Sequence, residues 1–389
     1  MKLYFLVLLI LTTATCVQSQ TPNEAKPFKY RFGGFYRNLL TSSHSYFTGD
    51  AYGDDLNRLR LNFDGAWRSS VQVHVEYDNE VHFGNLITEP DFDLVRQRQA
   101  ASYLDLLHVV IDEKHAYWDT SLYRGTIAFR HGSNELIVGR ERIAWGTAHF
   151  WSPADVFNPI SPLQVEEDER EGVDAALLKL SLPVKLRWSV VYAPQDGLDR
   201  STEAARLSTT MHNFDVSALG GRFAKDWLAG ADFAGQWRGA GLRGEFTYTA
   251  RGTSAQSDAL RLTFGSDFAI NNKWYVIGEY FYNQGQPPGY VPGQPLNPSA
   301  LLQYSNEIYT IQRHFLSAGA RYSVTPLLNV QTYAVVDLAG PSVFFLPMAT
   351  YNLTTNTDLS VGGQLFASSS TGEFNRVPNL FDLEFTVHF

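Results

Sequence analysis

The chain has 389 residues, of which 14% are aromatic, 44% hydrophobic and 18% charged, and its formal net charge at pH 7 is -9. The abundance of aromatic residues excludes a disordered chain, and the negative charge argues against nucleic acid as a partner, which requires a basic surface. Beyond the N-terminus, no apolar run approaches the roughly 20 residues of a membrane-spanning helix.

The first nineteen residues have the pattern of an export signal. Lys2 precedes an apolar core from Leu3 to Leu11, and Val17 and Ser19 suit cleavage after Ser19. We therefore predict a signal peptide over 1–19 and a mature protein over 20–389. Lipid attachment at Cys16 is the alternative, although the residues before this cysteine do not match the usual lipoprotein pattern. Cleavage after Ser19 removes the one cysteine, so no disulfide is expected.

Along the mature chain, apolar and polar residues alternate with a period of two. The segment from Phe381 to Phe389 is the clearest case, since every second residue is apolar. Such alternation gives a β-strand one apolar face and one polar face. It predicts about 18 strands, with about 16 as the alternative. The predicted strands lie near residues 27–40, 56–67, 70–83, 116–130, 134–146, 172–182, 184–194, 202–211, 213–223, 227–236, 241–250, 258–269, 273–284, 308–323, 327–339, 341–353, 357–368 and 379–389.

The connections between these strands alternate in length. Short turns follow the even-numbered strands, and all the long connections follow odd-numbered ones. The long connections are 41–55, 84–115, 146–171, 195–201 and 285–307. This parity predicts an all-β fold, a single transmembrane antiparallel β-barrel with short periplasmic turns and long extracellular loops. A soluble β-sandwich, the alternative, has no reason to alternate its loop lengths.

The alternation also predicts which side chains line the lumen. Each basic side chain would cost about 2–4 kcal/mol if it faced lipid at the bilayer midplane, and a typical folding stability is only about 5–15 kcal/mol. The basic residues must therefore face water. The basic residues predicted for this wall are Arg58, Arg60, Lys179, Lys185, Arg187, Arg243, Arg261, Arg313 and Arg321. The acids predicted for it are Asp64, Glu76, Asp78, Glu245, Glu279, Asp337, Asp382 and Glu384. Because both signs are present, the pattern leaves ion selectivity open.

The signal peptide, the alternating strands and the terminal Phe389 resemble those of Gram-negative outer-membrane proteins. That resemblance implies contact with outer-membrane lipid and recognition of the last strand by the barrel-assembly machinery, with Phe389 as the assembly signal. A shorter stretch between 139 and 159 resembles a Gly-Arg-Gln…Trp-Gly…Asn-Pro motif of porin-like and alginate-export-like barrels, although Glu141 replaces the glutamine. The residues that carry it are Gly139, Arg140, Trp145, Gly146, Asn158 and Pro159. The motif implies a channel across the envelope.

Porins commonly fold the loop after the fifth strand into the lumen, so the resemblance implies an inward-folding constriction loop near 146–171. This loop contains the acids Glu166, Glu167, Asp168, Glu169 and Glu171. Facing the basic residues Lys179, Lys185 and Arg187, these acids would create a transverse electric field across a narrow passage. The alternative is an acidic run that only decorates an extracellular surface.

Other segments and motifs add less. The segment from Pro90 to Leu107 has helical spacing and predicts a loop helix near the mouth. No linear motif for catalysis, phosphate binding or metal binding is present, so we expect no catalytic residue, no cofactor and no metal site. A barrel lipase or protease stays open, because its catalytic residues lie on neighbouring strands and give no linear motif.

Two functions fit the predicted barrel. The first is an outer-membrane channel for diffusion of small hydrophilic or charged solutes. The second is a barrel that exports a polysaccharide or anchors it at the surface. The pattern leaves the solute, the direction of transport and the oligomeric state open.

Overall fold

The structure, a computed structural model, describes residues 28–96, 102–157, 172–183, 185–195, 200–252, 257–286 and 308–389. The predicted signal peptide and the acidic run at 166–171 lie outside these residues. Within the described ranges, no helix is long and apolar enough to cross a membrane.

The described part of the chain is built almost entirely from antiparallel strands. The strands are β1 Phe28–His44, β2 Ala51–Trp67, β3 Val71–Gly84, β4 Leu107–Glu113, β5 Ala116–His131, β6 Asn134–Glu141, β7 Val173–Ser181, β8 Leu186–Ala193, β9 Thr202–Met211, β10 Phe214–Phe223, β11 Asp226–Trp237, β12 Ala240–Ala250, β13 Ala259–Ala269, β14 Trp274–Asn283, β15 His314–Ser323, β16 Leu328–Asp337, β17 Ser342–Thr354, β18 Thr357–Ser368 and β19 Leu380–His388.

These strands form a closed barrel. Each strand except β4 pairs with its neighbours along the ring, and β1 pairs with both β2 and β19, so that no edge remains open. The barrel therefore has 18 strands, which confirms the predicted fold class and excludes the smaller alternative. Every predicted strand segment overlaps one barrel strand. Closure is what a bilayer requires, because an open strand edge in hydrocarbon would leave backbone hydrogen-bonding groups unpaired.

The predicted loop helix is mostly wrong. The described part of that segment has a 3-10 turn at Pro90–Phe92 and a single helical turn at Asp93–Arg96, and residues from Leu107 onward form β4. Strand β5 pairs with β6 only from Gly125 onward, so its first half needs another partner for its backbone groups. Strand β4 supplies those partners along 116–121 of β5.

Side-chain exposure separates the two faces of the barrel wall. On β2, Leu59 and Leu61 are 37% and 46% exposed, whereas their neighbours Arg58 and Arg60 are each 6% exposed. Exposed apolar residues recur at alternate positions on the other strands, including Val190 on β8 and Leu383 on β19. The outer face is therefore an apolar belt suited to lipid, and the charged face lines the lumen.

The seam between the first and last strands is tightly packed. The backbone N of Gly34 donates to the Phe389 carbonyl at 2.9 Å, and Phe389 N donates back to Gly34 O at 3.0 Å. A Cβ atom at position 34 would lie 2.2 Å from the Arg60 carbonyl oxygen and 3.0 Å from the Phe389 ring. Only glycine therefore fits at this position. The role of Phe389 in assembly stays a prediction.

We expect Gly34→Val to block closure of the barrel, because overpacking at the seam costs about 1–3 kcal/mol or more. The yield of folded barrel, measured as the fast-migrating band on unheated SDS gels, should fall sharply. Gly278→Val is the matched control, since a Cβ at that position meets nothing within 4 Å. Equal folded yields for the two variants would contradict this packing argument.

Candidate functional site

The chain leaves β6 at Glu141 and enters the lumen. We call residues 142–157 the inward segment. Its residues Ile143, Trp145 and Val156 belong to a buried apolar cluster that includes residues of β7 to β11. Phe150 and Trp151 belong to a second cluster, which includes residues of β14 to β17. The inward segment therefore crosses the interior of the barrel. One part of it packs against β7 to β11, and another part packs against β14 to β17.

Glu245 on β12 holds one turn of the inward segment. Its carboxylate accepts hydrogen bonds from the backbone N of Thr147, from Ala148 N at 2.6 Å and from Ala154 N at 2.9 Å. The Ser152 hydroxyl donates to the same carboxylate at 2.9–3.0 Å. Backbone N–H groups that converge in this way form a concave site for an anion. Here the anion is a side chain of the barrel wall.

Glu279 on β14 holds the next turn in the same manner. It accepts from His149 N at 2.8 Å, from Phe150 N at 3.2 Å and from Trp151 N at 2.8 Å. Hydrogen bonds to an ionised acceptor are about twice as strong as neutral ones. Both glutamates are almost fully buried, so water does not compete for these amides. We call Glu245 and Glu279 the carboxylate clamp.

Further contacts fix the tip of the inward segment. The Trp151 ring stacks on Phe281 with centroids 5.1 Å apart, and the Trp151 carbonyl accepts from the Thr263 hydroxyl at 2.8 Å. The Arg243 guanidinium donates to the Thr147 carbonyl at 2.7 Å. Burial and the nearby Arg243 lower the pKa of His149, although Asp267 opposes them. His149 therefore loses its proton at a lower pH than a free histidine does.

Gly146 has a steric role in this segment. A Cβ at this position would lie 1.6 Å from the Ser152 hydroxyl, which donates to Glu245. The glycine of the Trp-Gly motif is therefore needed for the clamp to form. The motif residues Asn158 and Pro159 lie outside the described residues.

On the other side of the lumen, four arginines project inward from β1, β2 and β5. We call Arg37, Arg58, Arg60 and Arg124 the arginine wall. Each one is ion-paired with a neighbouring carboxylate. The pairs are Arg37–Glu384 at 3.4 Å, Arg58–Glu80 at 3.1 Å, Arg60–Asp78 at 2.6 Å, Arg60–Glu76 at 3.8 Å and Arg124–Glu76 at 3.7 Å. The Tyr123 ring covers Arg60, with 3.6 Å from the guanidinium carbon to the ring centroid. This side of the lumen is therefore lined by charged side chains, whereas the inward segment fills the opposite side.

Sequence alternation found Arg58 and Arg60 but missed Arg37 and Arg124. Strand β5 has a bulge at Tyr123, where the register with β3 shifts. Simple alternation with Thr120 and Leu122 would place Arg124 toward lipid, and the bulge turns it into the lumen. On β1, Arg37 alternates with the apolar Phe35 and Leu39 on the inner face. The inner face of β1 is therefore mostly apolar, and the alternation did not identify it as the face that lines the lumen.

The other predicted basic residues of the wall fall into different places. Lys179 pairs with Glu135 at 3.3 Å, and Arg187 lies 3.8 Å from Asp215, both near the rim with the short turns. Arg321 lies over the Tyr275 ring at 5.3 Å near the same rim. Arg243 contacts the inward segment, as described above. Arg261 is 1% exposed and donates to the Ile308 carbonyl, so it braces the wall and does not face water.

Two predicted wall residues are not on strands. Lys185 lies in the turn before β8, where its φ of 59° belongs to a tight turn. Arg313 lies in the connection before β15, which begins at His314 and not at 308 as predicted. In both cases the alternating pattern extends one residue before the start of the observed strand.

Arg140 has a structural role that the motif did not reveal. Its guanidinium is buried, pairs with Asp174 at 2.8 Å and donates to the carbonyls of Leu104 and Leu122. It therefore ties the segment before β4 to the barrel wall. Strand β6 ends at Glu141, five residues earlier than predicted, because the chain turns inward there. Gly139 has φ 134°, a conformation that suits glycine.

A partly buried glutamate lies at the rim of the barrel on the side of the long loops. Glu373, in the loop 369–379, accepts from Gln312 N at 2.8 Å. Burial raises the pKa of Glu373 to about 8, backbone donors including Gln312 oppose that shift, and the nearby Asp337 adds to it. The neighbouring Phe374 packs against Phe344. The contacts of this loop with the rim therefore enclose a carboxyl group that holds its proton to a higher pH than a free glutamate does.

We expect the packing of loop 369–379 to weaken as pH rises. A released loop would ionise Glu373 near 4.5, whereas the packed loop holds its proton up to about 8. The packed state is therefore most favoured at low pH and loses this advantage as pH rises through that window. Hydrogen exchange at Gln312 and Phe374 should be several-fold faster at about pH 9 than at about pH 6, relative to Glu373→Gln at each pH. An identical pH profile in that variant would contradict this assignment.

In the part of the chain that the structure describes, no group of three or more His, Cys, Asp or Glu residues is placed to hold a metal ion.

Comparisons with known proteins agree on the fold. No family model matches the chain, and no curated protein matches it. Among solved structures, it is similar to Pseudomonas aeruginosa OccK5 (OpdH), with 12% identity, a TM-score of 0.58 and coverage of 93% of this chain and 97% of that one. It is similar to Acinetobacter baumannii OccAB3 at 12% identity and a TM-score of 0.59, covering 93% and 99%. It is also similar to the outer membrane protein OprD from Pseudomonas aeruginosa, at 10% identity and a TM-score of 0.59, covering 94% and 95%. The chain thus shares the barrel architecture of these proteins over nearly its full length.

Proposed function

We propose that this protein is a channel of the Gram-negative outer membrane through which small hydrophilic or charged solutes diffuse. The observation that carries the proposal is the inward segment, which occupies one arc of the lumen and leaves the arginine wall on the other. A barrel of this size without such a segment would hold a wide water-filled opening. A narrowed, charged passage selects small hydrated solutes and rejects apolar ones.

The location rests on two supports. The apolar belt and the closed barrel suit a lipid bilayer, and the solved barrel of similar architecture named OprD is described as an outer membrane protein. The alternative of polysaccharide export needs a wide lumen for a polymer, and the inward segment narrows it. We therefore favour small solutes.

The electrostatic character of the passage comes from side chains that lie close to one another. Arg37 and Arg124 have partly exposed side chains, at 12% and 19%, and they are the members of the arginine wall that reach water best. Their carboxylate partners, Glu384 and Glu76, are also partly exposed. Such paired charges along a passage bind and release charged groups of a solute without trapping them. The opposing role of Glu166, Glu167, Asp168, Glu169 and Glu171 stays a prediction, because these acids lie outside the described residues.

The proposal is tested by conductance of the purified protein in planar bilayers. Steady, ion-permeable steps are expected, together with solute uptake into liposomes that falls steeply as solute size increases. A silent protein that forms the folded barrel would overturn the proposal. An equal uptake of small sugars and long oligosaccharides would favour the exporter instead.

A further inference from the structure

One ion pair on the outer face of the barrel is hidden from its surroundings. Ala175 and Leu177 of β7 belong to the apolar cluster inside the lumen, so the alternation of the strand turns Asp174 outward. Arg140 of β6 is the register partner of Asp174 and follows the outward Val138 by two residues. Both charged side chains therefore lie on the face of the wall that meets lipid, yet that of Arg140 is only 2% exposed and that of Asp174 only 8%.

A short segment before β4 covers this pair. We call residues 102–106 the outer strap. The backbone N of Leu104 donates to the carboxylate of the pair at 2.9 Å, and the Leu104 carbonyl accepts from the guanidinium. A further anchor is the Leu106 carbonyl, which accepts from the backbone N of Leu122 on β5 at 3.2 Å. The outer strap therefore lies on the outer side of the wall and runs from β7 across the end of β6 to β5.

The outer strap lies where the wall loses a strand. Strand β6 ends at Glu141 because the chain turns into the lumen there, whereas β5 continues beyond its last pairing with β6 at Gly125. Without a cover, the charged pair at the end of β6 would meet hydrocarbon. A lipid-facing arginine costs about 2–4 kcal/mol at the bilayer midplane and less toward the interfaces. The outer strap thus closes the wall at the point that the inward segment leaves open.

The outward surface of the outer strap is largely apolar. Tyr103 and Leu104 are 49% and 48% exposed. The next residue, Asp105, is also exposed, but its carboxylate accepts from the backbone N of Leu107 at 3.3 Å and so lies toward β4. This surface adjoins the apolar belt, because Val138 is only about 7 Å from Arg140 along β6 at about 3.3 Å per residue. An apolar surface that continues the belt suits contact with lipid.

We propose that the outer strap is a lipid-contacting element of the external loops. Tyr103 and Leu104 rest on the acyl chains of the outer leaflet, and Asp105 faces the headgroups. The partner follows from the continuity of this surface with the apolar belt, whose residues Val138 and Leu178 are 45% and 36% exposed on the same face. A tyrosine suits this level of the membrane, since its ring is apolar and its hydroxyl reaches the polar region.

Fluorescence quenching by labelled lipid tests the proposal. In a Cys16→Ser background, which removes the one native cysteine, Tyr103→Cys and Leu104→Cys would each carry a bimane label. The barrel is then reconstituted into phosphatidylcholine vesicles that contain lipids with a nitroxide on the acyl chain. Both labels should be quenched by about twofold or more, because an apolar face at this level is buried about 5–10 Å into the acyl boundary. Leu178→Cys, on the outer face of β7, is the positive control, and Phe47→Cys, 45% exposed between β1 and β2, is the negative control.

The two controls separate a failure of the outer strap from a failure of the barrel. Quenching at Leu178 alone, with strap labels that water-soluble iodide quenches instead, would place the strap in water or against a soluble partner and would overturn the proposal. No lipid quenching at Leu178 would mean that the barrel is not in the bilayer. That result would overturn both the lipid contact of the strap and the membrane channel proposed above.

Removing the ion pair gives a second test. The double variant Arg140→Leu with Asp174→Leu takes away both hydrogen-bond partners of Leu104 and leaves apolar side chains that lipid tolerates. The folded band on unheated gels should persist, while the label at position 104 loses its quenching by lipid and becomes accessible to iodide. Arg130→Leu with Glu135→Leu, an ion pair near the short turns, is the matched control and should leave the quenching unchanged. Full quenching of the label in the first variant would overturn the anchoring role of the pair.

Discussion

Replacing both members of the carboxylate clamp, Glu245→Gln together with Glu279→Gln, is expected to release the inward segment and to raise single-channel conductance. A glutamine has one acceptor oxygen and an amide that donates, so it clashes with the converging backbone N–H groups that each carboxylate now accepts. Each buried N–H left without an acceptor costs about 1–3 kcal/mol. Loss of several exceeds the roughly 5.5 kcal/mol that inverts a two-state equilibrium.

The barrel itself should survive this change, because the strand ladder is closed without the segment. The expected record is a larger and noisier conductance with an unchanged folded band on gels. Glu384→Gln is the matched control, since this lumen carboxylate pairs with Arg37 on the opposite arc and has no contact with the inward segment in the described residues. An unchanged conductance in the double variant would show that the clamp does not restrict the passage.

Neutralising the two partly exposed members of the arginine wall, with Arg37→Gln and Arg124→Gln, is expected to shift ion selectivity toward cations. Removing two positive charges leaves Glu76 and Glu384 without those partners inside a narrow passage, where screening by salt is weak. Arg58 and Arg60 are poorer choices, because removing one partner of a buried ion pair costs about 3–5 kcal/mol and threatens folding.

The measurement is the reversal potential in a potassium chloride gradient. It should move toward the potassium equilibrium potential in the double variant. Arg187→Gln serves as the control, because this arginine is 57% exposed near the rim, where salt screens its charge. A reversal potential equal to that of the wild type would mean that solutes do not pass along the arginine wall.

The fold could be predicted from the sequence because lipid enforces a simple rule. Every barrel strand must present apolar residues outward, and this produced a period of two that located all the barrel strands. The rule fails where the pairing between strands is irregular. The bulge at Tyr123 reversed the apparent face of Arg124, and β4 forms because β5 extends beyond β6, which no periodicity records.

The site could be predicted only in part. Alternation assigned Glu245 and Glu279 to the lumen wall, but it carried no information about their partners. Those partners are backbone amides that lie far away along the chain. The amide of Thr147 is 98 residues from Glu245, and the amide of His149 is 130 residues from Glu279. Backbone amides have no sequence signature.

The long separation between the inward segment and its clamp constrains how the molecule reaches its native state. Contacts so distant along the chain form late, because the entropy of closing the loop must be overcome first. Strands β7 to β14 have to take their places before Glu279 can meet the amides of His149 and Trp151. In a partly folded barrel, the inward segment would therefore lack its hydrogen bonds to Glu279. The lumen would become narrow only when most of the strands have paired.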